Sequence, residues 1–452
     1  MNLILIVTDT LRPDFLGCYG NPWVKTPRID AFARQSVQFN CVHGEGLPTI
    51  QARRVFMTGR EILPFEDAAP RKGVSPGMPG WRALGDEDVT LADFLSACGY
   101  YCGMATDLWH LFKPTMNFHR GFHIWEFIRG QEGDPWRTSP RTRFDLRKHI
   151  PAHLYNDQAY ERNFQQYLRN TDWFRGEEDY FCARTMRTAA RWLENCRDRA
   201  PFFLYVDTFD PHEPFDPPKQ YARMYGDNYP CERPIYGYGV NEKDVRDEDV
   251  PWIRGLYAGE VSLVDTWIGH LIETVDRLGL AQDTVVAVTT DHGTEFREHG
   301  RMMKSPGQLY RNVTRIPLIL RAPGAEPYAG KQVEALISAV DIAPSLLRLI
   351  GQTPPPPMSG LDLWQTATGQ RPEIRTHLIS GYGRCGAVRD HEWLFQTVAQ
   401  PHAKHAPAPA VAQPALFDLK NDPGETRNVI EEHPDVAQRM RALARRVWPE
   451  AL

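Results

Sequence analysis

The chain has no cysteine pairs at metal-type C-x-x-C spacing, no long apolar run, no surplus of positive charge and no internal repeat. Each absence removes a class of function. The eight cysteines are scattered (Cys18, Cys41, Cys98, Cys102, Cys182, Cys196, Cys231 and Cys385), which argues against a zinc ribbon or a disulfide framework. Reduced, structural thiols are expected, with Cys98 and Cys102 of the CGYYCG run read as small buried hydrophobes. A formal net charge of -5 gives no general attraction to nucleic acid or an anionic membrane, so any basic pocket must be local. The opening MNLILIVTDT is apolar only as far as Val7, too short for a signal or membrane helix and without a basic leader. It reads instead as the buried first strand of a cytoplasmic protein. Biased composition is confined to Pro354 to Pro357, a linker or cover segment.

The composition is that of a globular protein, 42% hydrophobic and 24% charged over 452 residues, enough for one large domain and a smaller one. Strand-like and helix-like runs alternate from the start. Leu3 to Val7, the YCGMA run, PFFLYVDT, Thr284 to Val288 and IPLILRAPG read as buried strands. Between them lie helical patterns, among them Tyr155 to Cys196 and Pro251 to Leu278. This alternation predicts an α/β fold with a doubly wound sheet, whose strand ends hold the chemistry. After about residue 365 the texture shifts to short alternating runs and a terminal helix from Pro434 to Trp448. A large domain over residues 1–365 and a small C-terminal antiparallel α+β domain over 366–452 are expected.

Polar groups cluster just past these strands. Asp9 follows the first, as a ligand-meeting acid or as a helix cap. Asp107 and His110 follow the YCGMA strand. Asp207, Asp210 and His212 enter the proline-stiffened loop DTFDPHEPFDPP. Asp291-His292-Gly293 presents an acid and an imidazole side by side, an arrangement suited to adjacent metal ligands, and Lys304 lies in the loop beyond. The aromatic and charged run from Asn117 to Trp136 reads equally as a substrate wall or as a packed loop. The stretch LPTIQARRVFMTGR, Leu47 to Arg60, combines a hydroxyl, two guanidiniums and a helix start. Thr49 is expected as N-cap and Gly59 as left-handed C-cap, with Arg53 one turn on along the same face. A hydroxyl at the positive end of a helix beside a guanidinium suits an alkoxide attacking an anionic ester. The plainer reading is a capped helix with solvated arginines.

Taken together, LILIVTDTLRPDFLGCYGN, TIQARRVFMTGR, PHEPFDPP, VVAVTTDHGTEFREHG with Lys304, IPLILRAPG, DIAPSLLRLIG and LFDLKNDPGETRNV resemble the sulfatase branch of the alkaline phosphatase superfamily over nearly the whole chain. The resemblance implies a large mixed, mostly parallel sheet flanked by helices and one divalent metal ion, calcium, manganese or zinc. Carried over by position, it implies Asp9, Asp291 and His292 as metal ligands. Thr49 becomes the nucleophile in contact with the metal, Arg53 its supporting cation, and Lys304 and His212 contacts to the anion and the leaving group.

The departures carry as much information. Sulfatases resemble C-x-P-S-R where this chain reads Thr49-Ile50-Gln51-Ala52-Arg53. In the family that cysteine becomes a formylglycine hydrate, whose second hydroxyl lets the sulfated intermediate collapse. Threonine has none, so a covalent intermediate must be broken by water at the central atom, which favours phosphorus over sulfur. Thr10 stands where many sulfatases have another metal-binding Asp. Asp107 stands where the family's Gly-Lys-Trp-His segment has its lysine, beside His110, and is open to roles as a contact to a cationic substrate group, a second-metal ligand or neither. Arg54 is either a further anion contact or a salt bridge. The expected function is metal-dependent hydrolysis of a small anionic ester (phosphate diester, phosphonate or sulfate), with an oligomer open and no nucleic-acid or membrane partner. The alternatives are a sulfatase proper and a degenerate sulfatase-like protein that binds its ligand without turnover.

Overall fold

The computed structural model describes residues 1–67, 69, 76–113, 115–138, 143–155, 157–237, 240, 242–405 and 413–452, and of residues 157–163 the backbone alone. The first strand, Asn2–Thr8, is wholly buried and lies inside a nine-stranded sheet. It pairs in parallel with Phe202–Asp207 on one side and Thr284–Thr290 on the other. Beyond the first of these come Tyr101–Thr106 and Ile124–Phe127, also parallel. Beyond the second, Arg315–Arg321 runs antiparallel and hands the sheet on to Val37–His43, which pairs with the short strands Gln332–Val333 and Ile337–Ser338. The sheet is therefore mixed and mostly parallel, as expected. The reversal at Arg315–Arg321 was invisible in sequence, because a strand buried on both faces is a continuous apolar run in either direction.

Alternate residues of the first strand feed opposite layers. Ile4 and Ile6 pack in the layer that holds the long helix Val250–Arg277, through Leu256 and Val264. Leu3, Leu5 and Val7 pack with Ile50, Val55 and Phe56 of the helix Thr49–Thr58. A helix sealed onto the sheet on its apolar face holds its first turn fixed relative to the strand ends.

A second sheet orders Ala415–Asp418, Trp393–Val398, Cys385–Arg389 and Leu378–Tyr382 antiparallel, and ends on Gly46–Leu47, which joins in parallel. The helix Pro434–Val447 covers it, Met440 and Ala444 meeting Val388 and Phe395. Its fifth strand comes from the segment just before Thr49, through Gly46 opposite Gly381 and Leu47 opposite Tyr382. The entry to the site helix is thus clamped by the C-terminal sheet.

Two local expectations need correction. Thr49 is not the N-cap: Pro48 holds that position and Thr49 is the first helical residue. Proline has no N–H to leave unpaired, and its restricted backbone sets the turn into the helix. Gly59 does close the helix in the left-handed region, at φ 57°, donating its N–H to the Val55 carbonyl at 2.8 Å. Cys98 is exposed rather than buried, because the helix Leu91–Ala97 ends just before it; Cys102, inside a strand, is buried.

Candidate active site

The strand ends gather four groups from separate segments. Asp9 follows the first strand, Asp207 ends its neighbour, and Asp291 and His292 follow the strand on the other side. All four are fully buried. Ligand atoms of Asp9, Asp291 and His292 lie within 4.8 Å of one another. A side chain on Gly293 would collide with the Asn312 carbonyl oxygen, so glycine allows the close approach that turns the Asp291-His292 pair toward the first strand.

These three residues fit a cation. His292 Nδ1–H donates to its neighbour's carbonyl, Gly293 O, at 2.9 Å, which leaves the lone pair on Nε2. That Nε2 and Asp9 Oδ1 are buried with no hydrogen-bond partner among the described residues. They sit 3.8 Å apart, and His292 Nε2 is 3.3 Å from Asp291 Oδ2. Burial drives His292 down to about 4, so its imidazole is neutral near pH 7. Burial and the neighbouring Asp291 push the Asp9 carboxyl well above its usual range, a strain that a cation would relieve. Asp291 is held by the backbone N–H groups of Thr10 at 3.1 Å and His292 at 2.7 Å. Thr10 has a left-handed backbone, φ 59°, and its buried Oγ1 has no partner among the described residues.

Arg53 stands in the middle of these acids. Its Nη1 bonds Asp9 at 2.9 Å and also Asp291. Its Nε and Nη2 form a fork onto Asp207 at 3.2 and 2.9 Å. A guanidinium with no exposure therefore answers three buried carboxyls, and Tyr205 donates to Asp207 at 2.7 Å.

Above lies a cleft of about 820 Å³ lined by Thr49, His110, His212, Glu213 and Lys304, with Trp81 and Trp109 among its walls. His212 connects cleft and acids: Nδ1–H donates to the Glu213 carbonyl at 2.6 Å, and Nε2 meets Lys304 Nζ and lies 3.9 Å from Asp9 Oδ1. Burial and Lys304 hold His212 well below its ordinary value. Lys304 also pairs with Glu213 at 3.2 Å.

Thr49, His110, His212 and Lys304 thus line the cleft, while Arg53, Asp9, Asp291 and His292 form the buried group that His212 joins to it. Asp107 and Arg54 belong to neither group. Asp107 faces inward, accepting from Thr185 and Thr208 hydroxyls, both at 2.8 Å, and from the Phe209 N–H at 2.6 Å; burial raises it to about 8. It ties two segments together behind the site, which corrects its assignment as a substrate contact. Arg54 turns to the buried Asp88 and the Ala83 carbonyl, on the side away from Thr49, so of its two readings the salt bridge holds. Sequence reading missed Glu132, Glu213 and Lys113, which line the cleft, and gave Asp207 no part with Arg53. Glu132 and Lys113 fall within or beside aromatic runs whose pattern does not tell wall from packed loop. Burial brings Lys113 down to about 8.

Residues 1–352 match the family described as Sulfatase. The chain belongs to the sulfatase family. Residues 298–449 also match the C-terminal region of N-sulphoglucosamine sulphohydrolase. The chain is 25% identical over 484 residues to an arylsulfatase of Clostridium perfringens, covering 98% of this chain and 93% of that one. It is 27% identical over 487 residues to arylsulfatase A of Homo sapiens, covering 98% and 86%. Among solved structures, the phosphonate monoester hydrolase of Agrobacterium radiobacter has the same fold, with a TM-score of 0.73 at 22% identity, covering 98% of this chain and 96% of that one. This is a family of ester hydrolases, and no helix among the described residues is long and apolar enough to cross a membrane.

Proposed function

We propose that the protein is a metal-dependent hydrolase of phosphorus esters, a phosphate diester or a phosphonate monoester, with Thr49 as the nucleophile. The observation that carries this reading is the placement of a threonine at the first helical position, lining a cleft that His212 joins to the buried group of Arg53, Asp9, Asp291 and His292. A divalent cation, calcium, manganese or zinc, held by Asp9, Asp291 and His292 would lower the pKa of the Thr49 hydroxyl and offset charge on the ester oxygens. Arg53, four residues on from Thr49, supplies fixed positive charge at the start of the reaction coordinate. The helix N-terminus adds to it. Lys304 and His212 act as one unit. Because Nε2 of His212 accepts from the Lys304 ammonium, the proton delivered to the leaving oxygen originates on that pair.

Threonine bears no second hydroxyl, so release from the enzyme proceeds by attack of water at the central atom, which is facile at phosphorus. The similarity to proteins named arylsulfatase supports a second reading, sulfate-ester hydrolysis at the same site. The deciding experiment is a panel of p-nitrophenyl phosphate, bis(p-nitrophenyl) phosphate, p-nitrophenyl phenylphosphonate and p-nitrophenyl sulfate, assayed with Mn, Zn, Ca and Mg. The phosphorus diester and phosphonate are expected to lead. Faster cleavage of the sulfate would overturn the proposal, and bound metal without turnover of any ester would favour a degenerate binding protein.

A further inference from the structure

Lys113 is a cation of the cleft to which the reading above gives no task. It lies in the segment after the strand Tyr101–Thr106, and its half-buried side chain lines the same cleft as Thr49. It is not the lysine of the family's Gly-Lys-Trp-His segment, whose place Asp107 takes. Its backbone N–H donates to the Trp109 carbonyl at 3.2 Å, one helical turn back, which sets the two side chains on one face. Nζ lies over the Trp109 ring, 2.9 Å from its centroid. The indole is itself fixed, because its Nε1–H donates to Glu132 Oε2 at 2.8 Å. The ammonium is thus held against an aromatic face that attracts it but cannot take up all three of its hydrogens.

The other charges that line the cleft already have partners. Lys304 pairs with Glu213 at 3.2 Å, and Glu242 pairs with Arg301. Glu132 Oε2 meets Trp109 Nε1 and His110 Nε2, both at 2.8 Å. Among the described residues no carboxylate stands within ion-pairing distance of Lys113 Nζ; Glu132 and Asp134 act on it only from farther off. Burial outweighs their pull and brings the amine down to about 8, so it is still mostly charged at pH 7. An ammonium desolvated this far gains from any anion that enters the cleft and pairs with it.

We infer that Lys113 is a specificity-determining residue that recognises a second anionic group, a carboxylate, on an organic substituent of the ester. The inference rests on the hydrolase reading above and names the substrate class for that site. Trp81, Trp109 and Phe209 give the cleft aromatic walls against which the substituent packs. A singly charged group fits best, because Glu132 stands beside Lys113 and would repel a doubly charged one. The pairing lies away from phosphorus, so it holds substrate and transition state alike and its effect falls on KM rather than on kcat.

The test compares kcat/KM of the metal-loaded full chain on three chromogenic esters. The reference is p-nitrophenyl phenylphosphonate; p-nitrophenyl p-carboxyphenylphosphonate adds a carboxylate to the group that stays on phosphorus, and m-carboxy-p-nitrophenyl phenylphosphonate adds it to the leaving group. One of the two carboxylates should exceed the reference by about tenfold, through a lower KM. Lys113→Met, which keeps the stem and removes the charge, should bring that ratio to one or below, and Lys113→Arg should keep part of it. A ratio of two substrates is not moved by a general loss of active protein. In the parent protein it should fall as pH rises through about 8, where the ammonium gives up its proton. No preference for either carboxylate, or a preference that survives in Lys113→Met, would overturn the inference and leave the hydrolase standing. Calorimetric titration repeats the comparison without turnover, with phenylphosphonate against p-carboxyphenylphosphonate and p-nitrophenol against m-carboxy-p-nitrophenol. If no ester is cleaved, the hydrolase reading falls; tighter binding of a carboxylated compound that Lys113→Met abolishes would still support the role of Lys113, and equal binding would overturn both.

Discussion

Asp207→Asn tests whether the charge balance around Arg53 is what keeps the cation ligands available. In the parent protein Asp207 takes the Nε and Nη2 edge of Arg53 in a two-bond fork, while Nη1 reaches Asp9 and Asp291. Asparagine keeps the shape and one acceptor oxygen but removes the charge. Breaking one partner out of a buried pair costs about 3–5 kcal/mol, and the retained acceptor places this case near the lower end. The cation-stripped protein should therefore lose about 3 kcal/mol in urea unfolding at pH 7. Arg53 would then depend on Asp9 and Asp291 alone, in direct competition with a metal ion. Competition against a fluorescent chelator should show affinity for the cation weakened by about tenfold, equivalent to about 1.4 kcal/mol. Stability within about 0.5 kcal/mol of the parent, or unchanged cation affinity, would refute the reasoning.

Thr49→Ala should still bind the phosphonate but lose turnover by orders of magnitude, whereas Thr49→Ser, which removes only a methyl, should keep part of the rate; steady-state kinetics on p-nitrophenyl phenylphosphonate decides it. Arg54→Ala breaks the buried pair with Asp88 and should cost about 3 kcal/mol or more in stability, while leaving kcat/KM of the remaining folded protein nearly unchanged. Glu45, buried and raised by that burial to about 8, accepts from the Ile62 and Leu63 N–H groups, each at 3.0 Å, beside the strand that leads to Thr49. A carboxyl raised in the folded state stabilises fully below its unfolded value and loses that contribution as pH rises through its folded value. The window is pH 4.5 to 8, worth at most about 5 kcal/mol. Glu45→Gln should flatten the decline, so the stability difference between variant and parent should grow in the variant's favour toward pH 9; parallel urea curves would contradict this.

What could be read from the sequence follows from how local each signal is. The strand Asn2–Thr8, the long helix Val250–Arg277 and the C-cap at Gly59 announce themselves through runs and single residues, and all are present. The gathering of Asp9, Asp291 and His292 was legible because each stands at a strand end, and parallel strands bring such ends to one edge. Asp107 stands at a strand end too, yet it turns inward, because Thr185 of a helix and Thr208 of the next segment offer it hydroxyls that no local pattern reveals. Arg54 adjoins Arg53, but successive helical residues point about 100° apart, so only one of the two can face the acids. Which one does so depends on Asp207 and Asp88, distant in sequence. The Gly46–Leu47 strand, two residues long, acquires its pairing only from Gly381 and Tyr382 far along the chain.

The departures from the sulfatase pattern form a consistent set when their charges are followed. The chain has a neutral hydroxyl at Thr10, where resemblance to the family leads one to look for an acid, and a buried acid at Asp207 against Arg53. Near the candidate cation site, the carboxylates of Asp9, Asp291 and Asp207 would then balance the Arg53 guanidinium and one divalent ion. The Lys304–Glu213 pair balances itself. On the proposed reading, an ester that enters with a single negative charge adds one unit to a nearly neutral cleft, and the helix N-terminus and the proton held by the Lys304–His212 pair can answer it. A dianionic phosphate monoester would bring a second unit, and the like charges of Asp9, Asp207 and Asp291 would oppose it. Monoanionic diesters and phosphonates should therefore be preferred over the monoester of the same alcohol. The same balance explains why an acid at position 107, which would upset it, is turned away from the cleft and bonded to two threonines behind it.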